Sequence, residues 1–397
     1  MVPHELDHAV PEGNEDGSEQ GGRSAVRVRL YHQVRTAHLE RAVQLEPATI
    51  LYGTRRYDFD TSVAPDLDIV QAAGWRAAWW LATHEVQALE VNEPLYRQSV
   101  RSTAVALVGL EVGRLVRRRP RPRVVTYAIE NLDPAGLPRR PGLKASLARR
   151  VDRSLTAMVW RRLDRIAFGT EASELVYRTA LAAQPQPASR TLEALPVAAS
   201  TPKQLDKISG SVLFLGALDE RKGIREVLEA WPTVRQALPA AHLLVLGKGP
   251  LVDLVESAAE QDDSVSLEID PPRSRIHEAL ASTAVVVLPA QPRPGWKEQV
   301  GLPIVEGLSY GCTIVCTAET GLAVWLAQHG HQVFPAPEGV PALASSLAAA
   351  VSDPLDPAVV LASLPDEDGR LAADRWLFEG LPGRPPQREE KSVTRVD

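Results

Sequence analysis

From Val26 onward, short apolar runs alternate along the chain with longer stretches whose apolar residues recur at helical spacing. The short runs predict strands at Val26–Tyr31, Thr49–Tyr52, Val86–Val91, Arg123–Tyr127 and Arg165–Phe168. The interval Ala182–Ser211, with its Gln-Pro-Gln-Pro and Thr-Pro breaks, reads as one further strand and a connection between domains. Beyond it, Val212–Leu215, His242–Leu246, Val265–Ile269, Ala284–Leu288 and Thr313–Cys316 repeat the alternation. Strand and helix in regular turn predict α/β domains whose parallel sheets carry helices on both faces. A run such as Leu243-Leu244-Val245-Leu246 has no side to give to water, as a strand covered on both faces requires. The expected division is one domain over 25–205 and a second over 206–380. Residues 1–24 and 381–397 are polar, Gly/Pro-rich ends with the composition of disordered segments.

A length of 397 residues is enough for two domains, each with its own core, and 44% hydrophobic content is that of a globular chain. No run of 18 apolar residues exists, so no membrane-spanning helix is expected, and the first residues lack the basic-then-apolar order of a secretory signal. The cysteines, Cys312 and Cys316, flank a single strand candidate, which disfavours a disulfide and, with no His cluster beside them, structural zinc. A reduced, cytosolic protein is the simplest reading. The net charge of −6 hides an acidic start, Glu12 to Glu19, and a densely basic stretch from Arg114 to Arg165. Overall acidity and the lack of interleaved aromatics argue against nucleic acid as the partner.

The most informative chemistry lies in Glu298-Gln299-Val300-Gly301-Leu302-Pro303-Ile304-Val305-Glu306, after the apolar run Ala284–Leu288. Pro303 suits the first turn of a helix, where its fixed φ and missing N–H cost nothing. Glu298 is then expected in the loop above the strand and Glu306 in the first helical turn. Backbone N–H groups at a helix start can bind an anion or several hydroxyls. Two carboxylates and a row of donors suit a phosphate-bearing, hydroxyl-rich ligand, such as a nucleotide sugar. The plain alternative is a carboxylate that only complements the helix dipole.

Four stretches occur in a telling order: Val212-Leu213-Phe214-Leu215-Gly216 followed by Arg221-Lys222-Gly223; His242–Leu246 with Gly247-Lys248-Gly249-Pro250; Glu298 to Glu306; and Gly311-Cys312-Thr313-Ile314-Val315. Over residues 212–352 the chain resembles the C-terminal half of the family-four retaining glycosyltransferases. The resemblance implies the GT-B fold, two Rossmann-like parallel-sheet domains facing a central cleft, and a metal-independent sugar transfer. It is weaker over 26–200 and absent at the ends.

Carried over residue by residue, the resemblance sets Lys222, assisted by Arg221, on the donor's diphosphate, Glu298 on its sugar with the N–H groups of Val300, Gly301 and Leu302, and Glu306 on its ribose. Gly216 ends the first strand of this half, and Gly247 and Gly249 border the nucleobase. Independently of family, an Arg and a Lys at a helix start form a sound diphosphate clamp, although a solvated charged turn looks the same in sequence. Trp296 is placed to wall the sugar pocket or simply to pack. One departure matters: relatives often carry an Arg after the strand-end glycine, and here Ala217 stands there.

On the acceptor side, Val26–Tyr31 leads to His32-Gln33-Val34-Arg35 with no glycine, where many relatives have a Gly-rich loop. His32, Asn92, Glu93, Glu130 and Asn131 stand at expected strand ends and form the candidate acceptor set, with turn or cap duty as the alternative for each. The triplets Asp58-Phe59-Asp60 and Asp66-Leu67-Asp68 follow no clear apolar strand, so no metal site is assigned. Leu143–Ile166 reads as a helix with Leu143, Leu147, Val151, Leu155, Val159 and Ile166 in one stripe among Lys144, Arg149, Arg150, Arg153, Arg161 and Arg162. Such a helix can lie on anionic lipid or turn its stripe to the core, and both readings stay open.

The expected function is transfer of a sugar from a nucleotide diphosphate donor to a glycan or glycolipid hydroxyl, with no cofactor, in cell-surface polysaccharide or glycoconjugate synthesis. The alternative is a degenerate, non-catalytic scaffold in a polysaccharide assembly complex, which Ala217 and the missing Gly-rich loop favour and intact Glu298, Glu306 and Lys222 oppose. A nucleotide-binding dehydrogenase would need Gly-x-Gly-x-x-Gly after the first strand, and the sequence has none.

Overall fold

The computed structural model describes residues 26–56, 59, 62, 64–134, 142–199 and 206–381. The expectations for both ends and for the pair Asp58 and Asp60 lie outside the described residues.

The first part of the chain runs β1 (Val26–Val34), α1 (Thr36–Gln44), β2 (Thr49–Arg55), β3 (Ile69–Gln71), α2 (Trp75–Thr83), β4 (Val86–Glu90), α3 (Val100–Val116), β5 (Arg123–Ala128), α4 (Leu143–Arg162), β6 (Arg165–Phe168), α5 (Glu171–Ala180) and β7 (Ala188–Thr191). The second runs β8 (Ile208–Leu215), α6 (Ile224–Ala237), β9 (His242–Gly247), α7 (Val252–Gln261), β10 (Val265–Ile269), α8 (Arg273–Ser282), β11 (Thr283–Leu288), α9 (Leu302–Ser309), β12 (Thr313–Thr317), α10 (Ala323–Gln328), β13 (Gln332–Phe334), α11 (Gly339–Ser352), α12 (Pro357–Ala362) and α13 (Gly369–Phe378). Two sheets result, with strand orders β3-β2-β1-β4-β5-β6-β7 and β10-β9-β8-β11-β12-β13. Every pairing within them is parallel.

The ten expected strands and the further strand after Ala182 are all present, and β3 and β13 are additional. All six residues of β11 and all five of β12 are buried, because helices cover both faces of the sheet. The separate core of the second sheet includes Phe214, Trp231, Val286 and Ile314. In both sheets the strand order reverses beside the first strand of the domain: between β1 and β4, and between β8 and β11. Ligands of such sheets bind at the carboxyl ends of the strands at that reversal, where the flanking loops diverge and leave a crevice.

Three expectations are corrected. The loop expected at His32 to Val34 is strand, with Gln33 and Val34 paired to Thr54 and Arg55, so continued pairing stands where a Gly-rich loop would turn away. Helix α4 ends at Arg162, and Ile166 belongs to β6, buried and paired with Thr126. The third correction is α13, which was expected with the second domain. It packs on the first sheet, where Ala373, Leu377 and Phe378 meet Ala88, Val125 and Ala167. A buried ionic cluster fixes it there: Arg29 contacts Glu90 at 3.1 Å and Asp374 at 2.8 Å, and Arg370 contacts Glu90 at 2.5 Å. Two cations and two carboxylates balance, which is the condition for burying charge at tolerable cost.

Cys312 and Cys316 are both buried free thiols. No helix among the described residues is long and apolar enough to cross a membrane.

Candidate functional site

The donor-side candidates converge on the carboxyl ends of β8 and β11, the reversal point of the second sheet. After β8, Asp219 caps a turn of 3-10 helix over Glu220–Lys222, its carboxylate accepting from the N–H groups of Arg221 and Lys222 at 3.1 Å each. That cap aims Lys222 toward the loop after β11. There its Nζ forms an ion pair with Glu298 Oε2, both side chains largely out of water. Trp296 stacks beside them, with the Lys222 ammonium 5.6 Å and the Arg221 guanidinium 5.1 Å from its ring centre. Arg221 is otherwise held by Asp219, Nε to Oδ2 2.8 Å.

Gly301 is the N-cap of α9 at φ +81°, and Pro303 sits in the first turn as expected. The N–H groups of Val300, Gly301 and Leu302 stand at this start, where no earlier turn supplies carbonyl partners. Glu306 is the fifth residue of α9 and so lies in its second turn, not the first. The helix begins at Leu302, ahead of the proline. Glu306 pairs with Arg273 at 2.6 Å. Arg273 went unnoticed in the sequence because an Arg opening a helix after Pro271-Pro272 has no local mark of function. The glycine loop after β9 is tightly set: a Cβ on Gly247 would lie 1.9 Å from the Gly216 carbonyl oxygen. Only glycine permits that approach.

The acceptor-side residues gather at the ends of β1, β4 and β5. Asn92 Oδ1 accepts from the His32 N–H at 2.9 Å. Glu93 Oε2 accepts from the Glu130 N–H at 2.9 Å and from the Tyr177 hydroxyl at 3.2 Å. Burial pushes the Glu93 carboxyl up to about 7 against these hydrogen bonds, with the Glu130 charge adding to the rise. Burial raises Glu130 as well. The two candidate sets touch: Asn131 Nδ2 donates to the Glu298 carbonyl at 2.9 Å, and Gln299 Nε2 to Glu130 Oε2 at 3.2 Å.

Asp68 accepts from the Thr49 hydroxyl at 2.6 Å, a strand-end duty. Among the described residues no group of three or more His, Cys, Asp and Glu could hold a metal. The stripe on α4 divides. Val159 is fully buried and Leu155 packs on the core, whereas Leu143, Leu147 and Val151 are exposed. Arg162 is not on the open face, since Glu111 and Asp164 pair with it.

Residues 209–353 match the family described as Glycosyl transferases group 1. The chain is similar in structure to HepE of Anabaena in complex with UDP, with 13% identity, 89% of this chain and 95% of that one covered, and a TM-score of 0.59. It is also similar to the apo form of the lipopolysaccharide outer core galactosyltransferase WaaB, with 8% identity, 89% and 98% covered, and a TM-score of 0.63. A third is WaaG, a glycosyltransferase involved in lipopolysaccharide biosynthesis, with 14% identity, 88% and 95% covered, and a TM-score of 0.53. No curated protein sequence matches the chain. At such identities the likeness is one of fold, and the fold is GT-B: two Rossmann-like parallel-sheet domains.

Proposed function

We propose that the protein is a family-four retaining glycosyltransferase that moves a sugar, a hexose or hexosamine, from a nucleotide diphosphate donor to a hydroxyl of a glycan or glycolipid. The observation that carries this reading is the Lys222–Glu298 ion pair beside the start of α9, with Glu306 on the same helix. The cation fits a diphosphate, the buried carboxylate with its row of backbone donors a sugar, and the second carboxylate a ribose. HepE, which shares the fold, was found with UDP.

In this reading Lys222, Arg221 and backbone N–H groups take the charge that grows on the departing diphosphate, which is stabilisation aimed at the transition state. The diphosphate itself accepts the proton of the incoming hydroxyl, and the chain needs no nucleophile of its own. Glu298 orients the sugar, and its ammonium partner is freed to the phosphate as the donor enters. Two carboxylates flanking a scissile bond would be glycosidase chemistry, and Glu306 is assigned to ribose instead. The domain of the first sheet, which α13 joins, then serves the acceptor, and the domain of the second sheet the donor. A thermal-shift panel of nucleotide sugars, followed by transfer from the stabilising donor, tests the reading.

The second reading, a non-catalytic scaffold, is favoured by Ala217 and by the Asp219 contact that occupies Arg221. Donor binding with neither hydrolysis nor transfer of a labelled sugar would establish it.

We further propose attachment to anionic lipid at the cytoplasmic face of a membrane, through the outer side of α2, α3 and α4. Trp75 and Trp79 on α2 are 71% and 69% exposed, and Val108 and Val112 on α3 and Leu143 and Leu147 on α4 are exposed as well. Every exposed charged side chain on these helices is a cation: Arg76, Arg101, Lys144, Arg150, Arg153 and Arg161. Glu111 and Asp152 are half-buried and spent on arginines. Apolar and cationic groups without exposed acids complement an anionic bilayer surface.

A further inference from the structure

The Glu298 carbonyl is held from both domains. Within its own domain it accepts from the Gly321 N–H at 3.1 Å, and from the first domain it accepts from Asn131 Nδ2 at 2.9 Å. Residues 298 to 300 belong to no helix or strand, so these contacts set their position. A Cβ on Gly321 would lie 2.1 Å from the Gln299 carbonyl oxygen, so the loop and its support are in close contact. The neighbouring Gln299 side chain reaches Glu130 across the same gap. Glu130 is anchored in turn, its Oε1 accepting from the Leu132 N–H at 3.0 Å and its own N–H bound to Glu93. A continuous chain therefore runs from Tyr177 and Glu93, through Glu130 and Asn131, to the backbone that carries the Glu298 carboxylate.

We propose that Asn131 and Glu130 form a latch between the domains that completes the placement of Glu298 when the domains are closed. This rests on the donor-site reading above and adds a positioning function for two first-domain residues. The geometry supports it in three ways. The Glu298 carbonyl and carboxylate share one Cα, so a shift of the first carries the second with it. Asn131 is buried, and only its amide nitrogen can donate to a carbonyl, which fixes the orientation of its side chain. Val300 is tied independently by Thr320 Oγ1 at 3.1 Å, inside the donor domain. Opening the domains would thus remove the Asn131 and Glu130 contacts and leave Glu298 and Gln299 held by Gly321 and Lys222 alone, while the α9 start stays in place. Diphosphate binding and sugar placement become separable, and only the second depends on closure.

The test compares the full-length parent with Asn131→Asp, which removes the amide donor and sets a carboxylate against the Glu298 carbonyl. The expected variant binds nucleoside diphosphate within about threefold of the parent, while kcat for sugar transfer falls at least about tenfold. Backbone amide exchange at Gly321, whose N–H is bound to the Glu298 and Gln299 carbonyls, should accelerate at least about tenfold, and the radius of gyration by small-angle X-ray scattering should rise. Exchange and scattering identical to the parent overturn the latch, whatever the activity. A parent that transfers no sugar from any donor overturns the catalytic reading alone, because exchange and scattering still decide the latch. If Asn131→Asp does not fold, Gln299→Ala removes the Glu130 contact and should shift exchange in the same direction, and no shift there also overturns the proposal.

Discussion

Arg273 closes on Glu306, Nη1 to Oε1 2.6 Å, so the carboxylate assigned to ribose already holds a cation that is 63% exposed. An ion pair so open to water contributes at most about 1 kcal/mol, and two vicinal hydroxyls can displace it. Glu306→Ala should weaken nucleotide diphosphate binding by about 1.5–3 kcal/mol, through loss of charge-assisted hydrogen bonds. Arg273→Ala should leave affinity equal or slightly higher. Calorimetric titration checks both, and an unchanged affinity in Glu306→Ala removes the ribose role.

Lys222 and Glu298 are the reverse case, a pair largely withdrawn from water. Removing one partner strands the other charge, a loss on the order of 3 kcal/mol. Lys222→Ala should therefore melt early as well as stop transfer. Lys222→Met combined with Glu298→Gln should recover most of the stability and none of the activity, because the charges serve the reaction more than the fold. Thermal unfolding beside a transfer assay separates these effects. A double variant as unstable as the single one would show that the pair holds the loop for packing alone.

The polar chain through Glu93 predicts a pH dependence. Burial lifts its carboxyl from 4.5 to about 7, so between those values the folded protein holds a proton that the unfolded chain has released. Stability must then fall as pH rises through this window, by on the order of 3 kcal/mol from this group. Glu193, lifted to about 7 by burial and by the Glu171 charge, acts in the same direction. Glu93→Gln keeps an acceptor for the Glu130 N–H and removes the charge. Denaturant titrations should find the variant close to the parent near pH 5 and more stable at pH 8. A constant difference across that range would mean that Glu93 titrates normally.

How far the sequence could be read follows from which forces are local. The central strands announced themselves, because β11 and β12 are buried on both faces and cannot carry polar residues. β3 and β13 leave little trace in the sequence, as edge strands of three residues each. The grouping of Gly216, Lys222, Glu298 and Glu306 about one crevice was legible because they form short patterns at strand ends. The return of α13 was not, since Arg29 and Asp374 are 345 residues apart and neither bears a local sign of the other. Asn131 reads in the sequence as a strand-end residue facing the cleft, but its partner is a backbone carbonyl in the other domain, which no side-chain pattern records.

Transfer activity should survive chelation. Lys222 and the α9 N–H groups supply the positive potential that a divalent ion would otherwise bring to a diphosphate. Assays in EDTA with and without added manganese are the measurement. Activity lost in EDTA and restored by manganese would return attention to Asp66 and Asp68, although Asp68 is engaged with Thr49.

The outer side of α2, α3 and α4 joins two attractions that respond differently to salt. Attraction of cations to anionic headgroups is on the order of 1 kcal/mol per Lys or Arg at the surface and fades as the Debye length shrinks. Burial of Trp75 and Trp79 in the headgroup region gains apolar area and is nearly indifferent to salt. Sedimentation with vesicles rich in anionic lipid should therefore be strong at low ionic strength and partial, not absent, at high. Reversing Arg150 and Arg153 to Glu should lower binding by at least about thirtyfold at low salt with an unchanged melting curve, since both side chains are exposed. Trp75→Ser with Trp79→Ser should instead abolish the salt-resistant fraction. A parent that stays in the supernatant at low salt would assign the face to something other than lipid, and equal pelleting of all three proteins would place the contact elsewhere on the molecule.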